Sequence, residues 1–230
     1  MKSKHNPNDD EVKLRRHALV GPAHLWQSKR QAQFEFLKSV GLEPRHYLLD
    51  LGCGTLRGGI PLIEYLNAGH YFGFDVRENV IQEAHKELAE YGLEQKSPTL
   101  FFAGSIREFS PDKRFHYVWA YSVLIHMFDE VLRDTMESVS SLLAPDGCFF
   151  ANVRLGDADR LAELEQLDHR MNGSGSCREF PLVTRPIDFY RETAAEHGLS
   201  LVDMGTTDKL GFDPSVAAHK LHHMLAFEKV

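Results

Sequence analysis

Short apolar runs alternate with amphipathic helical segments along most of the chain. In 77–91, for example, Ile81, Ala84 and Leu88 recur on one face of a helix that Gly92 ends. The predicted strands occupy 48–50, 71–75, 98–103, 115–121, 148–153, 199–204 and 222–230. Strands that alternate with helices predict an α/β fold, with a single doubly wound, mostly parallel sheet and helices on both faces.

The pattern predicts one domain over 1–230, with a less regular N-terminus and one irregular insert. Residues 1–16 are polar, with basic and acidic side chains interleaved, and predict a flexible tail. Segment 17–42 predicts an N-terminal helical cap, because its apolar side chains share one helical face. The insert, 154–185, follows the carboxyl end of a strand and would lie on the ligand side of the sheet. It predicts either a lid over a substrate or a solvent loop without a role.

A glycine-rich turn between the first strand and the next helix carries the first functional pattern. The strand ends in Asp50, and Gly52 and Gly54 follow before helical spacing resumes. Glycines let the backbone approach a ligand closely, and the free N–H groups at the next helix start favour negative charge. The second predicted strand ends at Asp75, a carboxylate placed to accept hydrogen bonds from both hydroxyls of a ribose. Two adenosine-containing ligands fit this layout, NAD(P) and S-adenosylmethionine.

Arg57 distinguishes between these two ligands. The dinucleotide fingerprint Gly-x-Gly-x-x-Gly, counted from Gly52, requires a third glycine where the chain has Arg57. An arginine beside a helix N-terminus instead suits a ligand carboxylate, which it can bind with two parallel hydrogen bonds. The spacing therefore weakens the case for a pyrophosphate and favours a ligand with a carboxylate.

With an acidic residue followed by Gly-x-Gly after its first strand, the sequence resembles the class I, Rossmann-like S-adenosylmethionine-dependent methyltransferases. Asp50, Gly52 and Gly54 match the first motif of that family, whereas Leu56 stands where a third glycine is usual. The longer string over 26–59 is similar to a subgroup that acts on small molecules. The resemblance implies an antiparallel last strand in a seven-stranded sheet, and S-adenosylmethionine as the cofactor.

The resemblance also implies a set of cofactor contacts. After the third strand such enzymes often place an acid that holds the adenine amino group; here Ser105 stands there, and loop capping accounts for it equally well. An N-terminal helix sometimes covers the cofactor in this family, so Trp26 is either a cofactor contact or plain core packing. The cofactor-binding residues predicted in this way are Asp50, Gly52, Cys53, Gly54, Arg57, Asp75, Val76, Ser105, Ile106, Tyr121 and Trp26.

The methyl acceptor is expected beside Tyr121, Ser122 and His126, at the end of the fourth strand. His126 is the predicted general base for a hydroxyl acceptor, and Tyr121 is a second candidate catalytic residue. A structural or cofactor-side role for His126 stays open, because a histidine recurs here in family members with different acceptors.

Composition and net charge limit the classes of substrate and partner that the protein is expected to bind. The chain has 230 residues, 43% of them hydrophobic, which suffices for one sizeable core of a soluble protein. The net charge of −7 and the lack of a dense basic run argue against nucleic acid, so the expected substrate is a small molecule. No apolar run reaches the ~18 residues of a membrane span. The polar start lacks a secretory apolar region, which predicts a cytoplasmic protein.

Neither a metal site nor a disulfide framework is expected. The three cysteines form no C-x-x-C pair. His219, His222 and His223 have no adjacent carboxylate or cysteine, and they predict a polar approach to the last strand rather than metal ligands.

Three functions remain open at this stage. The leading one is methyl transfer from S-adenosylmethionine to a small-molecule acceptor, with an oxygen nucleophile. The second is a non-catalytic domain that binds S-adenosylmethionine or S-adenosylhomocysteine in a regulatory role. The third, an NAD(P)-dependent oxidoreductase, is disfavoured by Arg57 and by the lack of a Tyr-x-x-x-Lys pair. The identity of the acceptor and the oligomeric state are left open.

Overall fold

The computed structural model describes residues 7–156 and 182–230, with side chains from Asp10 onward. Its strands are β1 (Leu48–Leu51), β2 (Tyr71–Asp75), β3 (Thr99–Phe102), β4 (Phe115–Ala120), β5 (Leu143–Arg154), β6 (Leu199–Thr206) and β7 (His222–Lys229). They form one sheet in the order β3-β2-β1-β4-β5-β7-β6. The first five strands pair in parallel, and β7 runs antiparallel between β5 and β6. The predicted fold class and the antiparallel last strand are confirmed.

Helices cover both faces of this sheet. They are α1 (Pro7–Ala18), α2 (Trp26–Ser39), α3 (Gly59–Tyr65), α4 (Glu78–Glu90), α5 (Asp129–Leu142), α6 (Ile187–Glu196) and α7 (Ala217–Leu221). One core lies under α2, α3 and α4 and includes the buried Leu37, Leu62 and Trp119. The other lies under α5 and α6 and includes Met136 and Tyr190. Burial on both faces explains why the central strands are apolar runs rather than alternating ones.

The turn after β1 is built from left-handed backbone. Gly52 has φ +74° and Gly54 has φ +57°, conformations that glycine adopts at little cost. Leu56, where a third glycine is usual in the resembled family, also has a positive φ, of 64°. Its side chain is fully buried in the core under α3. Leucine therefore keeps the backbone path of a glycine turn and adds a core side chain to it.

The N-terminus differs from the predicted flexible tail over 1–16, because α1 begins at Pro7. Near its end Arg16 is buried, and its guanidinium pairs with Glu83, Glu87 and Glu90 of α4 at 2.7 to 3.0 Å. Among the interleaved charges of this segment, Arg16 is therefore paired with acids of another helix rather than solvated. Over 17–42, where the sequence predicts a helical cap, the structure has the end of α1, a 3-10 turn and α2.

The predicted insert, 154–185, is described only at its two ends. Arg154 ends β5, and Leu155 forms an isolated parallel bridge with Arg185. Residues 157–181 lie outside the described part of the chain, so the possible lid stays a prediction.

Within 7–156 and 182–230, no helix combines the length and the apolar character that a membrane span needs. In the same residues, no cluster of three His, Cys, Asp or Glu side chains is arranged to hold a metal ion.

Candidate functional site

A cavity of about 650 Å³ lies at the carboxyl ends of β1, β2 and β4. In the sheet order the chain reverses direction between β1 and β4, the point where open α/β sheets bind ligands. The volume is within the range of small-molecule sites. Of the sequence-predicted site residues, those that line it are Asp50, Gly52, Cys53, Gly54, Arg57, Asp75, Val76, Tyr121 and His126.

Asp75 reaches the cavity at the end of β2, and protein groups already engage its carboxylate. Its Oδ2 accepts the Gly54 N–H at 3.1 Å, while its Oδ1 accepts the backbone N–H and the Nε–H of Arg77 at 3.0 and 3.3 Å. A carboxylate offers about four acceptor positions, so these contacts leave room for one ligand hydroxyl. A second hydroxyl would compete with the longer contact from Arg77.

Asp50 lies at the start of the turn and is buried. The Tyr71 hydroxyl donates to its Oδ2 at 2.6 Å. The pKa of Asp50 is raised to about 7, chiefly by burial and also by the nearby charge of Asp75, against the opposing hydrogen bond from Tyr71. A cationic ligand group beside Asp50 would favour its ionised form.

Arg57 brings a buried cation to the other side of the turn. Its Nη1 donates to the Val20 carbonyl oxygen at 2.7 Å, and its guanidinium lies 5.9 Å from the centre of the Tyr121 ring. Its Nε has no hydrogen-bond partner in the described structure. Burial lowers the pKa of Arg57. A buried guanidinium with an unused donor is suited to the carboxylate that the sequence analysis assigned to it.

The segment after α1 packs over the glycine turn. The sequence analysis did not predict this contact. Leu19, Val20 and Gly21 line the cavity. A Cβ at Gly54 would lie 2.6 Å from Val20 Cγ1, so the valine packs directly on the glycine. Arg77 Nη1 also donates to the Leu19 carbonyl oxygen, at 3.1 Å.

Tyr121 reaches the cavity from the end of β4, and a histidine lies behind it. The carbonyl oxygen of Asp213 lies 2.7 Å from Nδ1 of His219 and can only accept, so this nitrogen carries the proton. The Tyr121 hydroxyl therefore donates to His219 Nε2 at 2.9 Å. Burial lowers the pKa of His219 and raises that of Tyr121, which keeps both groups neutral near pH 7. The predicted catalytic Tyr121 thus has a proton acceptor that sequence patterns did not show.

The backbone after Tyr121 turns sharply toward the cavity. Ser122 has φ +60°, a strained conformation for a residue with a side chain, and its N–H donates to Asn152 Oδ1 at 2.5 Å. His126 follows in a 3-10 turn, half-buried, and lines the cavity with Ser122. The predicted acceptor residues are therefore together at one end of the cavity.

Three predicted cofactor contacts lie away from the cavity lining. The Ser105 hydroxyl caps the short turn at 106–108 by accepting the Arg107 N–H at 3.2 Å. Ile106 is buried in the core under α5. Trp26 is buried against His17, with ring centres 3.4 Å apart. Capping and core packing account for these three residues, and any contact with a cofactor remains a prediction.

Two polar residues of α2 reach the cavity, and the sequence analysis did not single them out. Lys29 and Gln33 both line it. They lie three and seven positions after Trp26, on the face that also buries Phe36 and Leu37. Polar side chains on the inward face of an amphipathic helix were the sequence feature that could have identified them.

Residues 49–149 match a family model described as a methyltransferase domain. Over this stretch the chain is similar to the methyltransferase domain family. The match runs from β1 into β5 and includes the glycine turn. With the sheet order it agrees with the resemblance to class I methyltransferases, and the predicted Rossmann-like fold is confirmed. S-adenosylmethionine is the cofactor of this class, and structures with the same fold have been solved with it or with S-adenosylhomocysteine bound.

Individual relatives differ in what they methylate. The chain is 27% identical over 161 residues to N-terminal Xaa-Pro-Lys N-methyltransferase 1 of Xenopus tropicalis, an alignment that covers 68% of this chain and 62% of that protein. The fold is similar to that of magnesium protoporphyrin IX methyltransferase from Synechocystis PCC 6803, with a TM-score of 0.64, 17% identity and coverage of 100% and 90%. It is also similar to mitomycin 7-O-methyltransferase, with a TM-score of 0.62, 14% identity and coverage of 97% and 59%. The chain spans about three-fifths of the length of the curated relative.

The cavity has groups that fit this cofactor. Asp75 keeps an acceptor position for a ribose hydroxyl, and Arg57 keeps a buried donor for the methionine carboxylate. Asp50 is a buried acid that an ammonium group would help to ionise.

Proposed function

We propose that the protein transfers a methyl group from S-adenosylmethionine to an oxygen atom of a small molecule. The observation that supports the proposal is the set of residues that line the cavity between β1 and β4. Asp50, Arg57 and Asp75 lie in the same cavity as Tyr121 and His126, so a cofactor and an acceptor can meet there. The cofactor supplies a methyl group that is already activated by its sulfonium, and the protein mainly has to align the reactants and exclude water.

Each part of the cavity has a role in this proposal. Asp75 holds the ribose, the backbone of the glycine turn lies against the cofactor, and Arg57 binds its carboxylate. His126 takes the proton of the acceptor hydroxyl as general base. The Tyr121 hydroxyl, with His219 behind it, is a second route for that proton, because neutral His219 Nε2 can accept it.

The curated relative motivates a second candidate. Its name specifies N-methylation at an N-terminal Xaa-Pro-Lys sequence, so the acceptor of this chain would then be a peptide amine. An amine acceptor also has to lose a proton, and the same residues would serve it. The two candidates differ in the acceptor atom and not in the cofactor.

Incorporation of a labelled methyl group tests both candidates. Purified protein is incubated with labelled S-adenosylmethionine and, separately, with pooled small hydroxyl compounds, pooled small amines and Xaa-Pro-Lys peptides. We expect incorporation into hydroxyl compounds. Incorporation into the peptides alone would replace the proposal with the second candidate, and none in any pool would favour a non-catalytic binding domain.

His126→Ala separates a base from a packing residue. We expect the transfer rate to fall by roughly 10²–10⁴-fold while the affinity for S-adenosylhomocysteine stays the same, and His126→Gln not to restore the rate. His85→Ala, an exposed histidine of α4, is the matched control and should leave the rate unchanged. If His126→Ala loses cofactor affinity in step with its rate, His126 is a cofactor-side residue.

A further inference from the structure

Two cations face the cavity without an acidic partner in the described structure. Arg57 contacts a backbone carbonyl and the Tyr121 ring, and its Nε has no hydrogen bond. Lys29 lines the same cavity from α2. Among residues 10–156 and 182–230, no carboxylate comes within ion-pair distance of its ammonium group and no side chain accepts a hydrogen bond from it. By contrast, Arg16 and Arg30 of the cap are paired with Glu87.

The surroundings of Lys29 are unfavourable for its charge. Burial, together with the charge of Arg57, lowers the pKa of Lys29 to about 8. The charge of Lys29 acts on two histidines, His219 and His222, whose pKa values burial lowers, that of His222 to about 3. A half-buried ammonium without an acidic partner is unfavourable, so its position in the cavity lining points to a ligand that pairs with it.

The two cavity carboxylates do not serve as that partner. Asp75 is engaged by Gly54 and Arg77, and Asp50 accepts from Tyr71. S-adenosylmethionine carries one carboxylate against two positive groups, its ammonium and its sulfonium. In the proposed function that carboxylate pairs with Arg57. With the cofactor bound, the charge of Lys29 is therefore still uncompensated.

We propose that Lys29 binds an anionic group of the methyl acceptor, so that the substrates of this cavity are small carboxylates or phosphate esters. The inference rests on the proposed function, because it needs the cofactor carboxylate at Arg57. It also separates the two acceptor classes, since a peptide with an N-terminal amine and a lysine brings further positive charge toward Lys29 and Arg57. Like charges brought together in a desolvated site oppose binding.

Matched acid and amide pairs test this charge preference. The protein is saturated with S-adenosylhomocysteine, and its affinity is measured for 4-hydroxybenzoate against 4-hydroxybenzamide, for 4-hydroxyphenylacetate against its amide, and for phenyl phosphate against phenol. We expect at least one anion to bind about ten-fold or more tightly than its neutral counterpart, the scale of a charge-assisted hydrogen bond. Lys29→Gln should abolish that preference and Lys29→Arg should retain it.

The control is Lys38→Gln, an exposed lysine on the same helix, which should keep the preference. In Lys29→Gln the affinity for S-adenosylhomocysteine should change less than about two-fold. The inference is overturned if no anion in the panel binds more tightly than its neutral counterpart to the wild-type protein, a comparison that needs no variant to fold. It is equally overturned if Lys29→Gln weakens S-adenosylhomocysteine instead, since Lys29 would then hold the cofactor carboxylate. Failure of S-adenosylhomocysteine to bind the wild type would refute the proposed function itself.

Discussion

At the scale of single residues, the protonation of Asp50 makes the stability of the folded protein depend on pH. Its pKa of about 7 in the folded protein lies above the ordinary value of about 4, so the folded state keeps a proton that the unfolded chain releases. The stability that this proton represents is fully present below pH 4 and is lost as the pH rises through 7. A bound ammonium group would reverse this preference by stabilising the ionised carboxylate.

Asp50→Asn removes this titration. We expect the stability of the wild type relative to the variant to fall by at least about 1.4 kcal/mol between pH 5 and pH 8, the equivalent of one pKa unit. Urea unfolding of both proteins at several pH values without ligand measures the difference, in which the contributions of the other titrating groups cancel. Asp112→Asn changes an exposed carboxylate and should give a flat difference. A flat difference for Asp50→Asn as well would show that Asp50 is ionised throughout.

Leu56 and Gly52 show what local sequence does and does not determine. The glycines locate the turn correctly, because left-handed backbone is expensive for other residues, by about 1–2 kcal/mol. Leu56 nevertheless adopts φ +64°, since its buried side chain offsets that cost through packing. Likewise, a Cβ at Gly52 would lie 2.4 Å from Val123 Cγ2, so Gly52 packs against a residue distant in sequence, a contact that no local pattern reveals.

At the scale of elements, the N-terminal cap depends on ion pairs with α4. Arg16 is buried with Glu87, which is itself fully buried, while Arg30 and His17 also contact that carboxylate. These pairs hold α1 in place, and the loop that follows it lines the cavity over Gly54. The cap is thus part of the site and not an appended helix.

Arg16→Ala is expected to loosen the cap. Breaking a buried pair by removing one partner typically costs about 3–5 kcal/mol, and the contacts that Glu87 keeps with Arg30 and His17 favour the lower end of that range. Both the melting temperature and the affinity for S-adenosylhomocysteine should fall, as measured by calorimetry. Arg15→Ala is the matched control, because its neighbouring pair with Glu11 is exposed and worth little. Equal behaviour of the two variants would mean that α1 does not support the site.

Elements with strong local periodicity were predictable, and those fixed by distant partners were not. Helix α4 and strands β1 to β4 lie within a few residues of their predicted ranges, because their apolar spacing is set by burial on the sheet. Helix α1 was missed, since the acids that pair with Arg16 lie 67 to 74 positions away in sequence. The position of β7 between β5 and β6 followed from the family resemblance and not from the chain's own periodicity.

At the scale of the whole molecule, the site is assembled by topology. Residues of the glycine turn and of β2 were predictable because strand ends in a parallel sheet meet at one edge. Lys29 from α2 and His219 from α7 join them only through the folded arrangement of both ends of the chain. The net charge of −7 gives no indication that two cations without an acidic partner in the described structure, Lys29 and Arg57, line the cavity.

Ligand-induced stabilisation of the intact protein distinguishes the two adenosine cofactors. A ligand at about 100 times its dissociation constant adds about 2.7 kcal/mol to the free energy of unfolding. For a domain of this size each kcal/mol raises the melting temperature by about 2–4 °C, so S-adenosylhomocysteine should raise it by roughly 5–11 °C. NAD and NADP should have little effect, because Arg57 replaces the glycine that a pyrophosphate turn requires, and its Nη1 is bound to the Val20 carbonyl above that turn. A larger shift with NAD or NADP than with S-adenosylhomocysteine would assign the cavity to a dinucleotide.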